Sequence, residues 1–254
     1  SIAKDRTVLI TDGGHAVVEA LAGELLVQGC QVAIVRQGSA VEELSVGSYA
    51  ADLNSSESVA ALIALVTERQ AAPAAIVHLL ALQGQANFAA LDYPGWKDQL
   101  RFGAKSLFHL AKEAGEHLHK AAAQSGAALI AATGMGGAFL ANLPSGSNPT
   151  FSDHGAVAGL VKTLALEWPD VRVKVVDLDL GESAHALARY LTDELHAADR
   201  LGVHADGDGT DLAADAAYLE GEVDDARRNV IAHVQQSADL DVEAGFLAHL
   251  PCQR

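Results

Sequence analysis

The sequence predicts an α/β fold, a doubly wound parallel sheet with a C-terminal extension, on three observations. Short apolar runs of strand length alternate with longer stretches whose apolar residues recur at helical spacing. The runs read as buried strands, as a parallel sheet covered by helices requires. Half of the 254 residues are hydrophobic, enough for a large core within one α/β domain.

TVLIT (7–11) and QVAIV (31–35) read as strands, with a helix between them from about His15 to Gln28. AAIVHLL (74–80), AALIAAT (127–133) and VRVKVVDLD (171–179) read as three more. Helical spacing marks 56–70, 94–124 and 153–168. Ser56 is placed to cap the second helix and Pro94 to open the fourth, while Pro169 ends the run LALEWP. Residues 136–153, GGAFLANLPSGSNPTFSD, read as a loop beyond a strand's carboxyl end, where active sites of Rossmann-type sheets lie. After Gly202 the chain turns acidic and short of aromatic residues. The domain is therefore expected over 1–204, with 205–254 a peripheral acidic extension.

The net charge of −16, from 33 acidic and 17 basic residues, disfavours nucleic acid and anionic membranes. No apolar run approaches the roughly 18 residues of a membrane span. No leader pattern is seen, so cytoplasm is the expected location. Cys30 and Cys252 are too few for a disulfide framework or a zinc site. HADGDGTD (204–211) offers Asp206, Asp208 and Asp211 as oxygen ligands, but Thr210 and Asp211 occupy the fifth and sixth positions of a calcium loop. It reads as an acidic turn. His109 and His117 lie eight residues apart, over two helical turns, and read as part of a solvated helix. No metal is expected.

TVLITDGGHAVVEALAGELLVQGCQVAIV, YAADL, IVHLLAL, SLFHLAKEAGEHL and AVAGLVKTLALEWPDVRVKVVDLD are similar to short-chain dehydrogenase/reductases. More narrowly, they resemble the ketoreductase region of polyketide and polyunsaturated-fatty-acid synthases over residues 5–200. Such a region has two Rossmann-like halves, one reducing with NADPH and one a structural brace. IVHLLAL and GLVKTLALEWPDVRVKVVDLD resemble the bracing half, or a pseudo-ketoreductase.

The resemblance implies a T-G-x-x-x-G-x-G loop after the first strand, whose glycines let a pyrophosphate approach backbone amides. Here Thr11 is followed by Asp12, Ala16 and Val18 at the glycine positions, with Gly13 and Gly14 in the variable slots. Asp12 would set a carboxylate beside a diphosphate, and like charges 4 Å apart repel by about 4 kcal/mol at an effective dielectric near 20. Asp12 can instead serve the helix N-terminus as an internal cap. Arg36 stands where a base could meet a 2′-phosphate, or is a solvated loop charge. Asp52 stands where an aspartate contacts adenine, or caps a turn. The expectation is no cofactor, or NADPH should the chain prove active.

Carbonyl reduction needs a Tyr donor, a Lys four residues on, and a Ser to orient the substrate oxygen. Alignment on GLVKTLALEW puts Thr150 and His154 at the Tyr and Lys positions, and a shift of one gives Phe151 and Gly155. Thr133 can stand in for the Ser, but Leu100 falls where Asn or Lys is expected. His154 could act as a general acid, or be a surface residue at a helix start. Lys162 is too far along to replace it, and none of Tyr49, Tyr93, Tyr190 and Tyr218 has a Lys four residues on.

The expected role is a non-catalytic structural domain bracing neighbouring catalytic domains of a multidomain synthase. The alternatives are an NADPH-dependent reductase of a β-ketoacyl thioester, and a stand-alone protein binding a small ligand in the cleft around 133–154.

Overall fold

A computed structural model of the chain describes residue 2 and residues 5–83, 92–137, 152–197 and 203–205. The chain divides into units at Ser1–Thr210 and Asp211–Arg254, and every described residue belongs to the first. Among them, eight strands form one sheet in the order β3-β4-β2-β1-β5-β6-β7-β8. These are β1 (Thr7–Asp12), β2 (Gln31–Gln37), β3 (Glu42–Ser45), β4 (Ser48–Ala51), β5 (Pro73–His78), β6 (Ala128–Thr133), β7 (Arg172–Asp177) and β8 (Val203–Ala205). All pairings are parallel except that of β3 with β4.

Every residue of β5 and β6 is buried, and so are five of six in β1. That explains why their sequences are near-continuous apolar runs. The winding reverses at β1, which lies between β2 and β5. The crevice at such a reversal opens at the carboxyl ends of the strands.

Among the described residues, six α-helices flank the sheet: α1 (Val17–Val27), α2 (Ser56–Arg69), α3 (Tyr93–Leu100), α4 (Ser106–Gln124), α5 (Ser152–Glu167) and α6 (Ala184–His196). α1 packs on α6, α2 on α4, and α5 on β7. In α5 an apolar stripe turns inward: Val157, Val161 and Leu164 are buried, and Leu160 and Trp168 pack against the core. At about 2 kcal/mol for each fully buried side chain, this face holds the helix on the sheet before entropy is counted.

Several boundaries differ from the sequence reading. α1 starts at Val17 rather than His15, and α2 is capped by Ser55, whose hydroxyl accepts from the Ser58 amide. Ser56 is the first helical residue instead; its hydroxyl donates to Glu113 and accepts from Lys112. The single helix expected over 94–124 is interrupted by a π turn at Arg101–Lys105. Pro94 does open α3, in its first turn after the cap Asp92. The hairpin β3–β4 has no counterpart in the reading, because all four β3 residues are exposed and carry no apolar signal. Its turn needs Gly47, with φ +76° and room so tight that a Cβ would lie 2.9 Å from the Val32 carbonyl. α6 and β8 were also unassigned. The extension over 205–254 lies, but for Ala205, outside the described residues.

Tyr49 of β4 is fully buried, and its hydroxyl has no hydrogen-bond partner among the described residues. A buried hydroxyl without a partner costs about 1–3 kcal/mol. Tyr49→Phe is therefore expected to stabilise the chain by about 1 kcal/mol in urea unfolding.

Candidate functional site

The parallel register sets the site. Asp12 at the end of β1 lies opposite Arg36 of β2, Thr11 opposite His78 of β5, and Thr133 of β6 opposite Asp177 of β7. Each pair is also joined through its side chains.

At the loop after β1, the Arg36 Nε–H donates to Asp12 Oδ2 at 2.6 Å, and the Gly14 amide donates to Asp12 Oδ1 at 2.7 Å. The Asp12 side chain is nearly buried while Arg36 is half exposed. The hydrogen bond and charge of Asp12 raise the Arg36 pKa. The next donors are also engaged: the Val17 amide with His15 Nδ1 at 3.2 Å, and the Val18 amide with the His15 carbonyl at 3.1 Å. Val18 is buried. Gln83 lies over Gly13 so closely that a Cβ there would meet its Cγ at 2.5 Å.

Asp52 sits just beyond β4 in a turn of its own. Its Oδ1 accepts from Gln37 Nε2 and from the Asn54 amide, each at 3.0 Å. Burial alone would raise its pKa, but these hydrogen bonds outweigh it and the carboxyl ends below its usual range.

At the other strands the polar groups satisfy one another. The Thr133 hydroxyl and the Met135 amide both donate to Asp177 Oδ1 at 2.7 Å, with Thr133 and Asp177 fully buried. His154, in the first turn of α5, is buried too. Its Nδ1 accepts from the Gly134 amide at 3.3 Å, and its Nε2–H donates to the Ala81 carbonyl at 2.7 Å. Both ring nitrogens are thereby engaged. His154 is thus not a surface residue. Thr150 and Phe151, and the turn with Asp206, Asp208 and Asp211, lie outside the described residues. Leu100 ends α3, directly before the π turn.

The reading missed His78, a fully buried titratable group at the end of β5. The Leu79 amide donates to Thr11 Oγ1 at 2.8 Å, Thr11 lies 3.2 Å from His78 Nδ1, and His78 Nε2 lies 3.0 Å from the Gly103 carbonyl in the π turn. A proton on Nε2 satisfies the whole chain, with Thr11 donating to Nδ1. Burial pushes the His78 pKa down to about 4. The available signal was a lone titratable residue within an otherwise apolar strand.

α4 is not simply a solvated helix. Leu107, Leu110, Ala114 and Leu118 bury one face, and both ring nitrogens of His109 are buried without a hydrogen-bond partner among the described residues. Burial, with Lys105 and Lys112 nearby, lowers the His109 pKa. Among the described residues no three His, Cys, Asp or Glu side chains gather as a metal site, and no helix is long and apolar enough to cross a membrane.

The winding of the mostly parallel sheet and the helices flanking it define a Rossmann-like α/β domain. A family model described as enoyl-(acyl carrier protein) reductase matches residues 14–219, and the chain belongs to this family, within the short-chain dehydrogenase/reductases. No curated protein matches by sequence. Among solved structures, the 3-ketoacyl-(acyl-carrier-protein) reductase of Brucella melitensis complexed with NADH is 15% identical. It aligns with TM-score 0.64 over 82% of this chain and 98% of its own. A keto acid-selecting NRPS module with adenylation, ketoreductase and pseudo Asub domains is 19% identical, with TM-score 0.64 over 79% of this chain and 16% of its own. An alcohol dehydrogenase of Thermococcus sibiricus complexed with 5-hydroxy-NADP is 18% identical, with TM-score 0.59 over 78% and 94%.

These relatives correct the expectation of no cofactor. The Brucella and Thermococcus structures each hold a nicotinamide nucleotide in this fold. Reading the loop alone left out the rest of the crevice, along which a dinucleotide makes most of its contacts. The loop–helix junction as arranged here nevertheless does not fit a diphosphate, because Asp12 and His15 engage the Gly14, Val17 and Val18 amides.

Two outcomes follow from these hydrogen bonds. His154→Ala removes two buried bonds of about 1 kcal/mol each, and is expected to cost about 2 kcal/mol in urea unfolding. For His78, the folded pKa of about 4 lies below the ordinary 6.5, so the unfolded chain takes up the proton first. Its contribution is intact above pH 6.5 and is lost as pH falls toward 4, by about 3 kcal/mol. His78→Asn should flatten that part of the stability–pH curve.

Proposed function

We propose that the chain is a non-catalytic, reductase-like domain of a polyketide-type or fatty-acid-type synthase, a pseudo-ketoreductase that braces a neighbouring catalytic domain in the cytoplasm. In this reading residues 1–204 form the bracing domain and 205–254 an acidic extension. The observation that carries it is His154. At the position where the family's Lys would assist a Tyr, this imidazole is buried and bonded through both nitrogens. Four residues before it stands Thr150, which is no phenol. Thr133 gives its hydroxyl proton to Asp177 and has none left to orient a substrate carbonyl. The likeness to a multidomain module containing a ketoreductase supports placement beside catalytic domains.

A second reading, an NADPH-dependent reductase of β-ketoacyl thioesters, is favoured by the match to an acyl-carrier-protein reductase family and by the likeness to the 3-ketoacyl reductase. The two separate on turnover. With NADPH and a β-ketoacyl N-acetylcysteamine thioester, the full chain is expected to oxidise cofactor no faster than protein-free buffer. Turnover above that background would overturn the bracing role and establish the reductase.

A further inference from the structure

We infer that Asp12 is a built-in anion that plugs the loop–helix junction, so that a nicotinamide dinucleotide gains the junction's amides only by displacing this carboxylate. One carboxylate oxygen takes the Gly14 amide and the other takes the Arg36 guanidinium. An anion bound through a main-chain N–H and a guanidinium is what a phosphate group is in such a loop. The plug is nearly buried, while Arg36 keeps half its surface in solvent. The pair closes one edge of the junction, and Gln83 over Gly13 closes another.

Because Asp12 and Arg36 are register partners on adjacent strands, the carboxylate competes at the high local concentration of an intramolecular ligand. Removing it would do two separate things. It frees the Gly14 amide, which helps any dinucleotide. It also frees Arg36 at the end of β2, about twenty residues past the loop, where a guanidinium suits a ribose 2′-phosphate. The gain should therefore be larger for NADPH than for NADH. A carboxylate serving only as a local turn would show neither effect. The inference concerns binding alone and stands whether or not the chain braces a catalytic partner.

The test is calorimetric titration of the full chain with NADPH and NADH, for wild type, Asp12→Gly, Asp12→Asn and Asp12→Gly/Arg36→Ala, with thermal shift as a second readout. Asp12→Gly is expected to bind NADPH about tenfold tighter than wild type, with a smaller gain for NADH. Adding Arg36→Ala should erase the difference between the two nucleotides. Asp12→Asn keeps an oxygen for the Gly14 amide and loses the charge, so it carries the test if the glycine variant fails to fold. It too should bind NADPH tighter than wild type. Folded Asp12 variants that bind NADPH no tighter than wild type would overturn the inference.

Discussion

The parallel register of the central strands is the constraint on which the rest of this molecule depends. The strands β1, β2, β5, β6 and β7 end at the same edge, where three neighbouring pairs meet through polar residues. Asp12 meets Arg36, Thr11 meets His78, and Thr133 meets Asp177. A buried polar group without a partner costs far more than a formed hydrogen bond returns, so an apolar sheet that carries such groups must pair them. Here the sheet itself does the pairing. The loops and helices then add further partners: Gly14 to Asp12, Gly103 to His78, Met135 to Asp177.

That same completeness bears on chemistry. A general acid must hold a proton that it can give, and an orienting hydroxyl must have a free hydrogen or lone pair aimed at substrate. At the edge of this sheet the Thr133 hydroxyl donates to the Asp177 carboxylate, and His154 Nε2 lies 2.7 Å from the Ala81 carbonyl. The π turn before α4 follows the same pattern. Such turns release backbone carbonyls and often mark functional sites. In this chain the Gly103 carbonyl faces the His78 ring and the Phe102 carbonyl accepts from Ser106, so the turn is sealed by side chains.

The buried parts of the fold were legible in the sequence because burial on both faces demands apolar runs, and β1, β2, β5 and β6 have them, while that of β7 is broken by Lys174. The exposed edge strand β3 was not, since GluGluLeuSer carries neither alternation nor a β-branched residue. The π turn was hidden for another reason: a helix that gains one residue in a turn keeps its apolar spacing on either side. At the site, Asp12 and Arg36 were each visible, but as separate candidates with separate roles. What joined them was register, which could have been read from their places at the ends of two consecutive parallel strands. His78 needed only the rule that a buried titratable residue must have partners.

A catalytic site is costly to a fold, because it keeps charged, strained or underbonded groups where packing would prefer none. Replacing those groups by mutually bonded ones removes the cost while leaving the sheet and its helices intact. The apolar face of α5 shows how little the scaffold depends on the site at its own first turn. Val157, Val161 and Leu164 hold the helix on the sheet, and His154 adds two hydrogen bonds at its start. Asp12 and Thr133 bond to Arg36 and Asp177 of the neighbouring strands, and His154 bonds to the backbone of Gly134 and Ala81.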